Sequence, residues 1–322
     1  MNILIANNTV IPAKFYGGTE RVIWWLGKEL TRLGHQVTYI GKEGSSCPFA
    51  KVLVYDETRP VNDQIPDDID VVHLNFQPEG PFKKPYLATH HGNFLDKDEF
   101  DINTVFVSRN HAGRNGSTTF VYNGLDPDEY GPVDFDKPRQ HLLFLGYAKR
   151  PDKNLKDCAV IARKTGNVLA VVGGKPAWFR LRPWMSYKGF LGGEAKNAIL
   201  QKAKALLFPV RWHEPFGLAV IEAMYFGAPV FASRYGSLPE LVPPETGFLS
   251  NSISDLIRAV RDLDRYNPRH IHEYVCDNFS AKRMAQDYLK LYDKVLAGET
   301  LNPRPPKNGG NYTWGDLLPL EK

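Results

Sequence analysis

The sequence predicts an α/β protein of two doubly wound, Rossmann-like domains, each built on a parallel sheet. Short apolar runs alternate with amphipathic segments of helical period, which is the pattern of a parallel sheet flanked by helices. The alternation breaks at residues 125–140, which are rich in Pro and Asp, and then restarts. The length of 322 residues also favours two domains over one.

The first half contains one clear strand–turn–helix unit followed by several apolar runs. Residues 3–6 form a buried strand, Gly17 and Gly18 a turn, and the next helix ends at Gly34. The apolar face of this helix comprises Val22, Trp25, Leu26, Leu30 and Leu33. Further strands are predicted at residues 37–40, 71–74, 87–89, 105–108 and 120–122.

The second half repeats this scheme and ends in helices. Strands are predicted at residues 142–145, 168–172, 205–208 and 230–232, with helices at 154–165, from about 194, around 215–226, and from about 252. We therefore expect an N-terminal domain at 1–136 and a C-terminal domain at 137–290. The remaining residues, 291–322, combine Pro and Gly with aromatic and leucine anchors, and this composition predicts a tail that packs back across the surface.

The composition indicates an ordinary globular protein. Hydrophobic residues make up 43% and charged residues 24% of the chain, and no apolar run approaches the roughly 18 residues of a membrane span. The first residues contain no basic leader before an apolar core. The three scattered cysteines lack metal-ligand spacing. We expect a cytoplasmic protein with reduced thiols and no integral membrane segment.

The formal charge differs between the two expected domains. Residues 1–136 contain 12 Lys and Arg against 19 Asp and Glu, and residues 137–322 contain 28 against 17, so the charges are −7 and +11. This asymmetry is consistent with an anion site in the second domain. Basic residues are not interleaved with aromatic ones as in a nucleic-acid module, so no nucleic-acid partner is expected.

The segment HEPFGLAVIEAMYFGAPV at 213–230 contains two glutamates, Glu214 and Glu222, in an apolar helix. Pro215 suits a first helical turn, so Glu214 is expected at or just before the helix start and Glu222 about 12 Å further along. The backbone N–H groups of Phe216, Gly217 and Leu218 would then form an anion site.

A nucleotide diphosphate-sugar suits that arrangement. Its diphosphate would lie on the helix end, between a carboxylate for sugar hydroxyls and one for ribose hydroxyls. A helix cap with a surface glutamate is the plainer alternative.

The same segment, extended to HEPFGLAVIEAMYFGAPVFAS, resembles the signature of the family 4 retaining glycosyltransferases, which have the GT-B fold of two Rossmann-like domains facing across a cleft. Four other segments are similar to that family: IPAKFYGGTERVIWWLGKELTRLGHQVTYI, LATHHGN, VFVSRNHA and VYNGLDPDEY. The resemblance covers residues 1 to about 290.

The resemblance implies a role for each matching residue. Glu214 would contact the donor sugar, Glu222 the ribose and Lys153 the diphosphate. His91 matches the family histidine near the reacting sugar. Other donor contacts are implied at Gly17 and Gly18, which would close over the diphosphate, and at Phe190 and Leu191, whose backbone would hold the base.

One position departs from the family pattern. The family has Gly-Arg after the first strand of the second domain, and here the pair is Gly146-Tyr147. Lys149 or Arg150 could supply the missing cation, or Tyr147 could donate a neutral hydrogen bond, although a tyrosine cannot copy the bidentate clamp of an arginine.

The function that follows is metal-independent transfer of a sugar from a nucleotide diphosphate-sugar, UDP-linked first and GDP-linked second, to a hydroxyl acceptor. The first domain would take the acceptor, which could be a sugar, a glycan, a lipid-linked molecule or a small molecule. No further cofactor and no metal site are expected, because the Asp-x-Asp triplets fall in loops, the linker or a polar helix face. The alternatives are an epimerase or hydrolase of nucleotide-sugars on the same fold, and a silent nucleotide-sugar-binding protein.

Overall fold

A computed structural model describes residues 1–13, 17–80, 82–94, 96–176, 182–310 and 315–322 of the chain. Up to residue 126 the strands and helices, in order, are β1 (Asn2–Ala6), α1 (Gly18–Arg32), β2 (Gln36–Gly41), β3 (Lys51–Val54), β4 (Val71–Leu74), β5 (Tyr86–His90), β6 (Thr104–Phe106) and α2 (Arg109–Arg114).

The rest of the chain repeats this alternation before a helical end. In order it forms β7 (His141–Leu145), α3 (Leu155–Lys164), β8 (Leu169–Val172), β9 (Met185–Gly189), α4 (Gly193–Leu200), β10 (Ala203–Phe208), α5 (Leu218–Tyr225), β11 (Val230–Ala232), α6 (Leu238–Leu241), β12 (Gly247–Leu249), α7 (Ile253–Val260), α8 (Pro268–Asn278) and α9 (Ala281–Leu296).

The chain divides into two compact units. The first contains residues 1–126 and 279–311, and the second contains residues 127–278 and 312–322. The first unit has a parallel sheet in the order β3-β2-β1-β4-β5-β6, and the second has one in the order β12-β11-β10-β7-β8-β9. Renumbered from β7, the second order is the first one reversed, and both are the Rossmann order. The predicted fold class is confirmed.

The boundaries of the second unit differ from those of the expected C-terminal domain at both ends. Helix α9, expected in the C-terminal domain, belongs to the first unit because its aromatic face packs on the first sheet. His73 on β4 contacts the Tyr292 hydroxyl at 2.7 Å through Nδ1 and the Thr89 hydroxyl at 2.8 Å through Nε2, and Thr89 contacts the Tyr288 hydroxyl at 2.9 Å. Assigning α9 by its position in the sequence therefore placed this helix in the wrong unit.

The segment after α9 is shared between the units. Leu301 and Asn302 are buried in the first unit, where the Asn302 side chain donates to the backbone of β6. Residues 315–322 belong to the second unit, in which the Leu318 N–H donates to the Arg211 carbonyl at 2.8 Å. The expected tail thus packs along the protein, but as two pieces on two units.

The revised boundaries also change the charge argument. Residues 127–136 bring four acidic groups to the second unit, and residues 279–311 bring a net +3 to the first. The first unit then has a formal charge of 0 and the second +4, in place of −7 and +11. The large asymmetry came from the assumed boundary, so charge alone does not assign the anion site.

Three local predictions differ from the structure. The edge strands β3, β9 and β12 were missed because they contain few buried residues. Residues 120–122 do not form a strand, since Phe120 makes only an isolated bridge to Phe106. Leu33 is the C-cap of α1 and is exposed, although it was expected on the buried face.

Within the described residues, no helix is both long enough and apolar enough to cross a membrane.

Candidate functional site

Three neighbouring loops at the carboxyl edge of the second sheet are bonded to one another. They follow β7 at Gly146, β8 at Gly173 and β9 at Gly189. The Gly173 N–H donates to the Gly189 carbonyl at 2.8 Å, and the Ala148 N–H donates to the Gly173 carbonyl at 2.9 Å. A Cβ on Gly173 would lie 1.9 Å from the Gly146 oxygen, so the loops approach too closely for any side chain there. This edge is where ligands bind in doubly wound folds.

Helix α5 begins later than the sequence predicts. Its first residue is Leu218 and its N-cap is Gly217, whose φ of +100° interrupts the helix at that point. Pro215 is therefore not in the first turn, and Glu214 lies in the loop four residues before the helix rather than at its start. The first-turn N–H groups still belong to the segment that was expected to bind an anion, although that of Val220 donates to the Gly217 carbonyl at 3.0 Å.

Lys153 and Glu214 contact each other at this edge. The Lys153 ammonium, from the turn after β7, lies 2.7 Å from Glu214 Oε2, and the Trp212 indole N–H donates to the same oxygen at 2.7 Å. Lys153 Nζ also lies 4.4 Å from the centroid of the Trp212 ring. Lysine, tryptophan and glutamate thus form one cluster, in which two donors share one carboxylate oxygen.

Arg150 is bound beside this cluster rather than free for a ligand. Its Nε donates to Asp152 Oδ1 at 2.9 Å, its NH2 group bonds the other oxygen, and its guanidinium carbon lies 4.5 Å from the Trp212 ring centroid. Asp152 is buried. Lys149, the other candidate for the missing cation, is exposed.

The backbone of Glu214 is fixed by the loop after β11. The Ser237 N–H donates to the Glu214 carbonyl at 3.0 Å. A Cβ on Gly236, where φ is +67°, would lie 2.3 Å from both the Glu214 nitrogen and oxygen. Only glycine allows the two loops to approach this closely.

Glu222 has its own buried partners. Its Oε1 accepts a hydrogen bond of 2.6 Å from the Tyr130 hydroxyl and forms an ion pair with Lys196. The side chains of Lys196 and Glu222 are only 5% and 8% exposed. The structure thus places Glu222 in the second turn of α5, in a different cluster from Glu214.

The residues predicted to hold the base lie on the loop after β9. Phe190 is exposed, and its ring lies 5.9 Å from that of Tyr147, centroid to centroid. The ideal Cβ position of Gly174 is 3.0 Å from the Phe190 ring. Leu191 follows and is half-buried. Tyr147 therefore faces Phe190 and not the Lys153 cluster.

In the first unit, Gly17 and Gly18 begin α1, with Gly17 as its N-cap. The preceding residues, 14–16, lie outside the described part of the chain. The structure therefore describes the predicted turn only from Gly17 onward, where the chain enters α1 on the carboxyl side of β1.

His91 follows β5 at the carboxyl edge of the first sheet. Its Nε2 lies 2.9 Å from Asn75 Oδ1, and the Asn75 amide donates to the Ala6 carbonyl at 3.1 Å, which turns Oδ1 toward the imidazole. Burial lowers the pKa of His91 to about 3, with a further contribution from His90. His91 is therefore neutral at pH 7 and donates through Nε2.

His90 points the other way, as strand alternation predicts. Its ring lies 4.7 Å from that of Phe100 and 5.5 Å from that of His111, inside the first unit. Burial lowers the pKa of His90 to about 4.

A cavity of about 320 Å³ lies elsewhere in the second unit. Its lining includes His141 at the beginning of β7, Val168 just before β8, Lys188 on β9 and Lys202 between α4 and β10. It contains none of the predicted site residues. Since ligands of this fold class bind at the carboxyl ends of strands, we assign the site to the loops and not to this cavity.

Sequence reasoning missed Trp212, Lys196, Tyr130 and Asn75. Trp212 stands two residues before Glu214, and this proximity was the available signal. The other three are distant in sequence from the residues they contact, so no spacing could have found them. Among the described residues, no group of three or more His, Cys, Asp or Glu is placed to hold a metal ion.

Comparisons with known proteins match this region of the chain. The family described as "Glycosyl transferases group 1" matches residues 139–265, which contain the Lys153 and Glu214 cluster. N-acetyl-alpha-D-glucosaminyl L-malate synthase of Bacillus anthracis is 26% identical over 196 residues, 56% of this chain and 50% of that protein. An uncharacterised 41.2 kDa protein of the Klebsiella pneumoniae cps region is 30% identical over 33% of this chain and 31% of its own length. The chain thus spans half or less of the length of these curated relatives.

Solved structures match over nearly the whole chain. AviGT4, a glycosyltransferase involved in avilamycin A biosynthesis, superposes with a TM-score of 0.78 at 23% identity, covering 93% of this chain and 99% of its own. HepE of Anabaena in complex with UDP-glucose superposes with a TM-score of 0.63 at 16% identity, covering 91% and 99%. At these identities the likeness establishes a shared fold.

Proposed function

Because residues 139–265 belong to the Glycosyl transferases group 1 family and the chain has the GT-B fold, we propose that this protein is a retaining glycosyltransferase. It moves a sugar from a nucleotide diphosphate-sugar to a hydroxyl group of an acceptor. The observation that carries the proposal is the contact of 2.7 Å between Lys153 and Glu214 close to the start of α5.

The diphosphate binds at the beginning of α5. The N–H groups of Leu218 and Ala219, the first two residues of this helix, lie at the positive end of its dipole, which favours an anion. Lys153 adds a full positive charge. As the glycosidic bond breaks, negative charge develops on the leaving diphosphate, and both groups stabilise it.

The sugar and the nucleoside extend to either side of the diphosphate. Glu214 accepts hydrogen bonds from hydroxyls of the donor sugar, and Glu222 lies in the next turns of α5 for the ribose. The backbone of Phe190 and Leu191 holds the base. Tyr147 packs with Phe190, so its contribution is to this base-binding loop.

The first unit takes the acceptor. His91 is neutral because burial lowers its pKa to about 3, and its Nε2–H is used by Asn75. Its Nδ1 can therefore accept a hydrogen bond from a sugar hydroxyl, which suits an orienting role. Gly17 and Gly18 begin α1 in the same unit.

A UDP-sugar is the first donor to test and a GDP-sugar the second. HepE of Anabaena binds UDP-glucose, and a starch synthase of Arabidopsis thaliana with the same fold binds ADP, so an ADP-sugar belongs in the panel. Transfer is proposed to be independent of metal, since Lys153 and α5 supply the positive charge. EDTA should leave the rate unchanged; activity lost on EDTA and restored by Mn²⁺ would contradict this.

The decisive experiment measures nucleoside diphosphate release from UDP-, GDP- and ADP-sugars with and without a panel of sugar and glycan acceptors. A transferase requires acceptor, a hydrolase releases the product without it, and a silent binding protein releases none. The anomeric configuration of the product, read by NMR, distinguishes retention from inversion.

Glu214→Ala tests the assignment of the site. We expect transfer to be abolished while nucleoside diphosphate binding persists. Full activity in this variant would remove Glu214 from the mechanism.

A further inference from the structure

We propose that Trp212 is a positioning residue that holds the Lys153–Glu214 ion pair closed until the diphosphate of a donor opens it. This inference rests on the proposed function, because it assigns those two residues to the donor. It adds that, without donor, the Lys153 ammonium and the Glu214 carboxylate are paired with each other.

The geometry shows why the pair is stable as it stands. Glu214 Oε2 accepts from both Lys153 and Trp212 at 2.7 Å, and the Lys153 ammonium lies over the Trp212 ring at 4.4 Å. The side chains of Lys153 and Glu214 are 12% and 9% exposed. A pair so shielded from water is worth more than a surface ion pair.

The second cation beside the Trp212 ring is already paired. Arg150, which stacks on the same Trp212 ring, is bound through two atoms to buried Asp152. The two positive charges beside the Trp212 indole are therefore neutralised by two carboxylates. A diphosphate entering at α5 must take Lys153 away from Glu214 to gain its charge.

This exchange couples two events in the donor site. Once Lys153 turns to the diphosphate, the Glu214 carboxylate loses its strongest partner and becomes an acceptor for sugar hydroxyls. Glu214 thus becomes available only when a diphosphate is bound. Trp212 keeps the carboxylate in place during the exchange, since its N–H bond does not depend on Lys153.

The first test is Glu214→Gln, which keeps an oxygen for the Trp212 N–H but removes the charge that occupies Lys153. Isothermal titration with UDP, GDP and ADP identifies the nucleoside diphosphate that wild type binds. We expect the variant to bind it about tenfold more tightly, with no change in affinity for the matching nucleoside, which has no phosphate. Glu57→Gln is the matched control, because it removes an exposed pair, Lys42–Glu57 at 2.6 Å, in the first unit.

The second test is Trp212→Phe, which keeps an aromatic ring for Lys153 and Arg150 but removes the N–H bond to Glu214. We expect nucleoside diphosphate affinity to rise about two- to threefold, because the pair is held less firmly. With donor and acceptor, kcat should fall while KM for the donor does not rise. A merely structural tryptophan would lower thermal stability and weaken binding together.

The outcomes separate this inference from the function on which it rests. If no nucleoside diphosphate binds wild type, both are wrong. If one binds wild type and Glu214→Gln binds it equally or more weakly, the closed pair is refuted and the donor site stands. If Glu214→Gln binds more tightly but Trp212→Phe loses affinity, the positioning role of Trp212 is refuted.

Discussion

Lowering the pH should lower the free energy of unfolding of the first unit. Protonation of His73 in the unfolded state should account for a defined part of that decrease. His73 is buried, 1% exposed, and its two nitrogens contact the hydroxyls of Tyr292 and Thr89. Burial, with a smaller contribution from the nearby His91, lowers its pKa to about 3. The folded protein therefore keeps His73 neutral across the range in which an unfolded histidine, with a pKa of about 6.5, takes up a proton.

The sign and size of the effect follow from this difference. As pH falls below about 6.5, the unfolded state binds the proton and the folded state does not, so the free energy of unfolding decreases. At pH 5 the difference for one such group is about 2 kcal/mol, against a few tenths at pH 7. His90 and His91 change in the same direction, because burial lowers both of their pKa values.

The variant His73→Gln isolates the contribution of His73. Glutamine does not titrate, so the loss of stability between pH 7 and pH 5 should be about 2 kcal/mol smaller in the variant, whatever its stability at pH 7. Native-state hydrogen exchange at the amides of residues 71–74 reports on the first unit alone. An equal pH dependence in wild type and variant would refute the buried, neutral state of His73.

Three further perturbations have direct readouts. Lys196→Met leaves Glu222 as an uncompensated buried carboxylate and should cost about 3 to 5 kcal/mol, or a Tm lower by roughly 10 °C; an unchanged Tm in calorimetry would mean that the pair is not buried in solution. Gly236→Ala places a Cβ 2.3 Å from the Glu214 backbone. We expect this contact to displace the Glu214 loop and to lower transfer activity about tenfold or more. Full activity in this variant would contradict the close packing of the two loops. Removal of residues 315–322 should slow transfer while circular dichroism shows an intact fold, and an unchanged rate would show that this segment does not support the site.

The strands that sequence alone predicts are the buried ones. Residues 169–172 are a continuous apolar run, and residues 71–74 are apolar except for His73, because neighbouring strands and both faces of the sheet cover them. The edge strand β9, with the sequence MSYKG, buries only Met185, so it has no apolar run to find. Helix α9 was recognisable as a helix, but its partner is decided by the contact between Tyr292 and His73, 219 residues apart.

The sequence named residues of the candidate site but not the contacts that hold them. The motif and the lysine turn predicted Glu214 and Lys153, and the structure places these two side chains in contact. The start of α5 was misplaced because Pro215 fits a first turn, whereas Gly217 in a left-handed conformation determines where the helix begins. Backbone conformation of this kind is set by neighbouring loops, which spacing does not report.

The supports of Glu214 converge from three separate parts of the second unit. Trp212 holds its carboxylate, and Gly236 and Ser237, after β11, close on its backbone. The C-terminal segment reaches the same loop, since Leu318 exchanges hydrogen bonds of 2.8 Å with the Arg211 carbonyl and side chain. In the proposed exchange, the Glu214 carboxylate releases Lys153 and then binds a sugar hydroxyl. A fixed backbone favours that exchange, because only the side-chain interactions of Glu214 need to change.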